Sequence, residues 1–123
     1  MPTAQHHVPR LRRVYEPPEP ADGTRILVDR LWPRGLAKAV AGVDEWPREL
    51  TPSNELRRWY HGPEGEWSEF RRRYEAELAA PAAAEALDRL RGLTAAGPVT
   101  LLTAVKEPER SHASILRDQL GSG

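Results

Sequence analysis

Two short segments of the sequence hold cationic side chains that could bind an anionic ligand. Arg30 and Arg34 stand in segment 29–35, which reads Asp-Arg-Leu-Trp-Pro-Arg-Gly, and Lys106 opens segment 106–112. A guanidinium group binds phosphate or carboxylate oxygens two at a time, and an ammonium group adds a point charge. These residue types therefore predict a site for a small ligand that carries a phosphate or carboxylate group.

The same segments contain two side chains that could transfer protons. Histidine titrates near neutral pH, so His112 is a candidate general acid or base, and Asp29 is a second candidate. Beside an anion site they would suit hydrolysis of, or group transfer from, a phosphorylated or carboxylated metabolite. The alternative is structural: Asp29 and Arg30 pin a loop, and His112 caps or packs a helix start. No activated nucleophile accompanies them, which favours ligand binding without turnover.

Two residues in the middle of the chain could add to the anion site. Ser53 stands at the N-cap position of a predicted helix, and Arg57 lies within that helix. The first turn of a helix presents main-chain N–H groups to an anion, and a second helix predicted from about Ser111 offers the same. For Arg57 the alternative is an ordinary solvated or salt-bridged arginine.

Strand patterns predict how these segments come together. Apolar and β-branched runs predict strands at 11–15, 24–29 and 99–105, with a further possible strand at 42–46. Residues 26–28 are apolar in succession, which is typical of a parallel strand covered on both faces. Ligands of open parallel sheets bind beyond the carboxyl ends of the strands. The two cationic segments follow two such ends, so we expect them to meet at one edge of the sheet.

Helical patterns and stop signals predict four helices. They cover 54–60, a segment with Pro63 at its first position, the segment from Pro81 to Gly97, and the segment from about Ser111. The second helix is the most regular, because its aromatic and leucine side chains recur at steps of three, four and four. The fold class is therefore α/β, with a short, mostly parallel sheet flanked by about four helices.

Length and composition exclude several classes of site and partner. The chain has 123 residues, no cysteine, and 18 Lys and Arg against 18 Asp and Glu. We expect a flexible arm at residues 1–9 and a single domain at 10–123. Without cysteine there is no thiol nucleophile or Cys-bound metal, and the histidines lack metal-ligand spacing, so neither a metal nor a cofactor is predicted. Balanced charge leaves nucleic-acid binding as a minor alternative.

The apolar content of the sequence bears on its location. No apolar leader begins the chain, and no run of about 18 apolar residues could span a bilayer. These features predict a cytoplasmic protein without membrane contact. The expected oligomeric state is a monomer or a weak homodimer.

The segment Leu27 to Gly35 closely resembles the hallmark segment of the YeaO-like family, a group of bacterial proteins of unknown function. The resemblance extends over nearly the whole chain after the N-terminal arm. It includes Arg13-Val14-Tyr15, Trp46, Pro52-Ser53, Glu55-Leu56-Arg57, the helix from Trp67 to Leu78, Thr100-Leu101-Leu102 and His112-Ala113.

This resemblance implies a compact, three-layer α/β fold with Rossmann-like layering, and it carries no established activity. Two positions depart from the family pattern: Thr103 stands where tyrosine is usual, and Ser111 stands where asparagine is common. The candidate site residues that match the family are Asp29, Arg30, Arg34, Arg57 and His112.

Overall fold

A three-stranded parallel sheet forms the centre of the computed structural model, which describes residues 8–121. The strands are β1 (Arg10–Arg13), β2 (Thr24–Leu27) and β3 (Val99–Thr103), in the order β1-β3-β2. Each predicted strand is present but ends earlier than expected. Segment 42–46 contributes only one bridge, between Ile26 and Glu45, and no strand.

Five α-helices accompany the sheet within the described residues. They are α1 (Lys38–Ala41), α2 (Asn54–His61), α3 (Trp67–Leu78), α4 (Pro81–Ala96) and α5 (His112–Gly121). The last four confirm the predicted helices. The first has no counterpart in the sequence-based expectations, because four residues are too few to show a helical period.

The start of α3 differs from the sequence prediction. The prediction put Pro63 at the first position of this helix, whereas the helix begins at Trp67 with Glu66 as its N-cap. The Glu66 carboxylate accepts hydrogen bonds from the main-chain N–H groups of Ser68 and Glu69, which fixes the first turn. Residues 62–65 instead form a turn, closed by a hydrogen bond of 3.2 Å from the Gly65 main-chain N–H to the Gly62 carbonyl. The turn requires glycine at position 65, because an added Cβ would lie 1.8 Å from the main-chain oxygen at position 60.

The two faces of the sheet are covered differently. On one face, Ile26 and Leu101 are fully buried against α3 and α5 in the main core. On the other face, Leu27 and Leu102 pack with side chains from segment 32–46, which is loop apart from the single turn of α1. The chain is therefore α/β, but the three-layer, Rossmann-like stacking is not confirmed, because no helix longer than one turn covers the second face among residues 8–121.

A buried ion cluster occupies the N-terminal end of that second face. The Asp22 carboxylate lies 2.6 Å from both the Arg12 and the Arg25 guanidinium groups, and it has no solvent exposure. The Thr100 hydroxyl donates to the Asp22 main-chain carbonyl at 2.9 Å. Burial alone would raise the pKa of Asp22, but hydrogen bonds from the Glu19 main-chain N–H and the two arginines outweigh it and lower that pKa. The cluster links all three strands.

The predicted flexible arm falls mostly on residues 1–7, which lie outside the described residues, as do residues 122–123. Within the described range, none of the helices has the length and apolar content needed to cross a bilayer.

Candidate functional site

A cavity of about 640 Å³ opens at the edge of the sheet where β2 and β3 end. Its walls come from the loop after β2, the loop after β3, the start of α5 and the facing side of α2 and α3. Because β2 and β3 are parallel neighbours, the loops that follow them leave the sheet side by side. Six predicted site residues line this cavity: Asp29, Arg30, Arg34, Arg57, Lys106 and His112.

Ser53, the seventh predicted site residue, does not line the cavity. Its hydroxyl accepts a hydrogen bond from the Leu56 main-chain N–H at 3.0 Å, as expected for an N-cap. Both its main-chain N–H and its hydroxyl donate to the Glu77 carboxylate, at 2.9 and 2.6 Å. The anion at this helix start is therefore a side chain of α3, and Ser53 is not available to a ligand in the cavity.

Four cationic side chains at the cavity form no ion pair within residues 8–121. Arg30 donates from Nε to a main-chain carbonyl at 3.3 Å, and Arg57 donates to an amide oxygen at 3.2 Å. Arg34 and Lys106 are exposed. Arginines elsewhere mostly pair with carboxylates: Arg10, Arg12, Arg25, Arg71, Arg72, Arg73, Arg89, Arg91 and Arg117. Positive charge is thus left uncompensated at the cavity.

Asp29 is tied into the protein rather than directed at the cavity cations. Its carboxylate accepts from the Thr103 hydroxyl and from the Ala104 main-chain N–H, both at 2.7 Å, and lies 3.2 Å from Nε2 of His112. Burial alone would raise the pKa of Asp29, but the hydrogen bond and charge of His112, with the two other donors, outweigh it and lower that pKa. The carboxylate therefore holds the loop after β2 against the loop after β3.

The His112 ring is oriented by the same contacts. Its Nε2 lies 2.9 Å from the Val28 main-chain carbonyl, which can only accept a hydrogen bond, so this nitrogen carries a proton. The neighbouring Asp29 carboxylate is a second acceptor for it. Both candidate proton-transfer residues thus contact each other, a pairing that their separation along the chain does not reveal.

An aromatic wall of the cavity was not foreseen from the sequence. It consists of Tyr60 on α2 with Trp67 and Phe70 on α3. The Tyr60 and Phe70 ring centroids are 4.4 Å apart, and those of Trp67 and Phe70 are 5.8 Å apart. Periodicity places Trp67 and Phe70 on the core stripe of their helix, and the stripe extends beyond the core to the cavity. His61 and Arg110 also line the cavity without having been predicted.

A second cavity, of about 420 Å³, offers a contrast in charge. It lies between α4 and the segment before α2, and its lining includes Glu45, Glu49, Glu85 and Arg89. The single arginine of this lining is already paired with the Glu45 carboxylate. This cavity therefore presents acidic rather than basic groups to a ligand.

Comparison with known proteins places the chain in a family. The sequence model of the family described as "Inactive DUF488-N3 subclade" matches residues 9–122. The chain belongs to this family. It is 46% identical over 111 residues to the uncharacterized protein YeaO of Escherichia coli strain K12, covering 90% of this chain and 95% of YeaO. The YeaO-like membership predicted from the sequence is thereby confirmed.

Mycobacterial relatives show a similar degree of likeness. The chain is 45% identical over 111 residues to the uncharacterized protein Rv3073c of Mycobacterium tuberculosis strain ATCC 25618 / H37Rv. The same identity holds for the uncharacterized protein Mb3100c of Mycobacterium bovis, and each alignment covers 90% of this chain and 92% of the relative. No solved structure matches the chain.

Proposed function

We propose that the protein binds a small anionic ligand, carrying a phosphate or carboxylate group, in the cavity at the carboxyl edge of the sheet. The observation that carries this proposal is the uncompensated charge there. Five cationic side chains line the cavity, Arg30, Arg34, Arg57, Lys106 and Arg110, against the two carboxylates of Asp29 and Glu107. An anion would neutralise this excess, and arginine forks are suited to its oxygens.

The contacts of Arg30 and Arg57 support a ligand role over a purely structural one. Arg30 donates only from Nε, through a long bond, so its two outer nitrogens have no partner in the described chain. Arg57 uses one outer nitrogen and makes no carboxylate contact within residues 8–121. A guanidinium that pins a loop makes several hydrogen bonds, as Arg25 does with Asp22 and three main-chain carbonyls.

A hydrolase or group-transfer enzyme is the second candidate, and the contact between Asp29 and His112 is the observation that favours it. Such a pair at a cavity is a possible proton-transfer unit. However, Nε2 of His112 is directed at the Val28 carbonyl and Asp29 rather than at a ligand. The Thr103 hydroxyl, which contacts the same carboxylate, is fully buried and so cannot act as a nucleophile on a ligand in the cavity. The family description, an inactive subclade, also supports binding without turnover. We therefore place binding first.

A thermal-shift titration with a matched pair of arginine variants tests the anion site. The ligands are inorganic phosphate, sugar phosphates and small carboxylates, since binding to the folded state raises the Tm. Arg57→Ala removes a cation that lines the cavity, whereas Arg58→Ala removes its exposed neighbour on α2, which does not line it. We expect Arg57→Ala to weaken binding at least about tenfold and Arg58→Ala to leave it unchanged.

Stability and turnover controls accompany this titration. Arg34→Ala should abolish the ligand-induced shift while leaving the Tm without ligand nearly unchanged, because this side chain is exposed. Absence of a shift with every anion, or equal weakening by Arg57→Ala and Arg58→Ala, would refute the anion site. Release of phosphate from a sugar phosphate that binds would favour the hydrolase instead.

A further inference from the structure

Aromatic rings and cations stand side by side on two walls of the main cavity. On α2, Arg57 and Tyr60 are three residues apart, a spacing that puts side chains about 5–6 Å apart on one helix face. In the loop after β2, Trp32 stands between Arg30 and Arg34 in the sequence, and all three line the same cavity. Each of these two segments therefore supplies both an aromatic side chain and a guanidinium to the cavity lining.

The aromatic wall has polar groups that the protein leaves unused. Tyr60 and Trp67 are half-buried, and within the described residues neither the hydroxyl of the first nor the indole N–H of the second has a hydrogen-bond partner. By contrast, the indoles of Trp32 and Trp46 donate to main-chain carbonyls, both at 2.7 Å. Half-buried rings with free donors at a cavity wall are equipped to contact a ligand that has both a flat face and acceptor atoms.

The size of the cavity also points beyond a bare inorganic anion. At about 640 Å³ it falls within the range of pockets that hold small organic molecules, which are lined mainly by apolar and aromatic groups with a few polar ones. Phosphate alone would contact the cationic side chains and leave the wall formed by Tyr60, Trp67 and Phe70 uncovered. An organic group attached to the anion would cover it.

We propose that the ligand carries a planar aromatic ring next to its phosphate or carboxylate, with the ring against Tyr60 and Trp67 and the anion on the arginines. This inference rests on the proposed function, since it names the chemical class that the anion site accepts. Rings stack on tyrosine and tryptophan side chains and on guanidinium planes, so both walls contribute to the preference.

Ligands that differ only in ring chemistry test this inference with the unmodified protein. Isothermal titration compares phenyl phosphate with cyclohexyl phosphate, and benzoate with cyclohexanecarboxylate, each pair having the same charge and nearly the same size. Inorganic phosphate and acetate serve as the ringless references. We expect the aromatic member of the phosphate pair, the carboxylate pair or both to bind about tenfold more tightly than its saturated partner and its ringless reference.

Variants of the wall test where the ring lies. Trp67→Leu should abolish the preference for the aromatic ligand while the Kd for the ringless anion stays unchanged. Trp59→Leu is the matched control, because Trp59 is also half-buried but lies under the Arg73 guanidinium at 4.1 Å and does not line the cavity. Tyr60→Leu removes the other half-buried ring of the wall, so it tests the same placement if Trp67→Leu does not fold; it should likewise reduce the preference for the aromatic ligand.

The outcomes separate this inference from the proposed function. Equal affinity for aromatic and saturated ligands, with inorganic phosphate or acetate still bound, would overturn the aromatic preference and leave the anion site standing. An aromatic preference that survives Trp67→Leu, or Tyr60→Leu where Trp67→Leu does not fold, overturns the placement of the ring. Failure of every anion to bind overturns both the inference and the proposed function.

Discussion

Asp29 joins the two loops that supply most of the cations at the cavity. It belongs to the loop after β2, and its carboxylate accepts hydrogen bonds from Thr103 and Ala104 at the end of β3. Its main-chain carbonyl accepts from the Trp46 indole at 2.7 Å. One residue therefore sets the distance between Arg30 on one loop and Lys106 on the other.

Asp29→Asn should destabilise the protein in a pH-dependent way. At pH 7 we expect a loss of about 1–3 kcal/mol in the free energy of unfolding, because an amide cannot accept from all three donors. The folded-state pKa of Asp29 is lowered, so its stabilisation is complete above the ordinary value of 3.8 and is lost as pH falls through the lower folded value. Urea denaturation of both proteins at pH 7 and below pH 3.8 measures the difference. A gap of the same size at both pH values would contradict this role.

Residue types and positions after strands were sufficient to predict the cations of the cavity. Arg30, Arg34 and Lys106 follow strand ends, and the common edge of a parallel sheet brings them together. Tyr60 and Trp67 could not be recognised in this way, because a ring on a helix stripe has the same spacing whether it lies in the core or at its edge. The depth to which a stripe is buried depends on the packing of whole helices.

The ion cluster around Asp22 acts between elements rather than within one. Arg12 belongs to β1, Arg25 to β2 and Thr100 to β3, and all three contact Asp22. Two buried guanidinium groups share this carboxylate, and acceptors on the covering loops satisfy their remaining N–H groups. Removal of the carboxylate would leave two buried charges without their common partner.

Asp22→Asn should therefore be among the more damaging single substitutions in the chain. We expect the free energy of unfolding to fall by about 3–5 kcal/mol, since breaking a buried ion cluster leaves uncompensated charge. Asp88→Asn is the matched control, because Asp88 pairs with Arg91 on the surface of α4 with 78% of its side chain exposed, and should cost about 1 kcal/mol or less. Chemical denaturation of the two variants compares these values. A loss for Asp22→Asn as small as the one expected for Asp88→Asn would show that the buried cluster adds little stability.

Local signals predicted most of the helices and strands, and tertiary contacts account for the exceptions. Ser53 caps α2, and Gly97 follows α4, as the sequence indicates. Helix α3 begins later than the sequence predicts, because Glu66 supplies a side-chain cap that Pro63 cannot. The second face of the sheet was expected to carry helices, but the buried arginines and the tryptophans of segment 32–46 cover it instead.

The positive and negative charges of the chain balance overall, but they are distributed unevenly over the molecule. The 18 basic and 18 acidic side chains cancel overall, and most arginines away from the main cavity are paired within the described residues. Arg30, Arg34, Arg57 and Lys106, which form no ion pair within residues 8–121, line one concave site, whereas the other cations without an ion pair there, Arg13, Lys38, Arg48 and Arg58, lie outside it. This distribution suits a small anion better than a polymer of phosphates.

Nucleic-acid binding should accordingly be weak. We expect a Kd above about 100 µM for a fluorescent 20-nucleotide oligomer, single- or double-stranded, at 0.15 M salt, because tight backbone binding needs many cationic contacts. Fluorescence anisotropy over a range of salt concentrations measures this. A Kd near about 1 µM with a steep loss of affinity in salt would instead favour a nucleic-acid partner.

The central position of β3 has a consequence for how the chain folds during synthesis. Both β1 and β2 pair in the sheet with β3 alone, yet they leave the ribosome some seventy or more residues before it. Until then the nascent chain holds two unpaired strands and several helices with no sheet to pack on, and contacts this distant in sequence form slowly. The sheet can therefore form only late in synthesis, and we expect a chain that is truncated before residue 99 to expose unpaired strand edges.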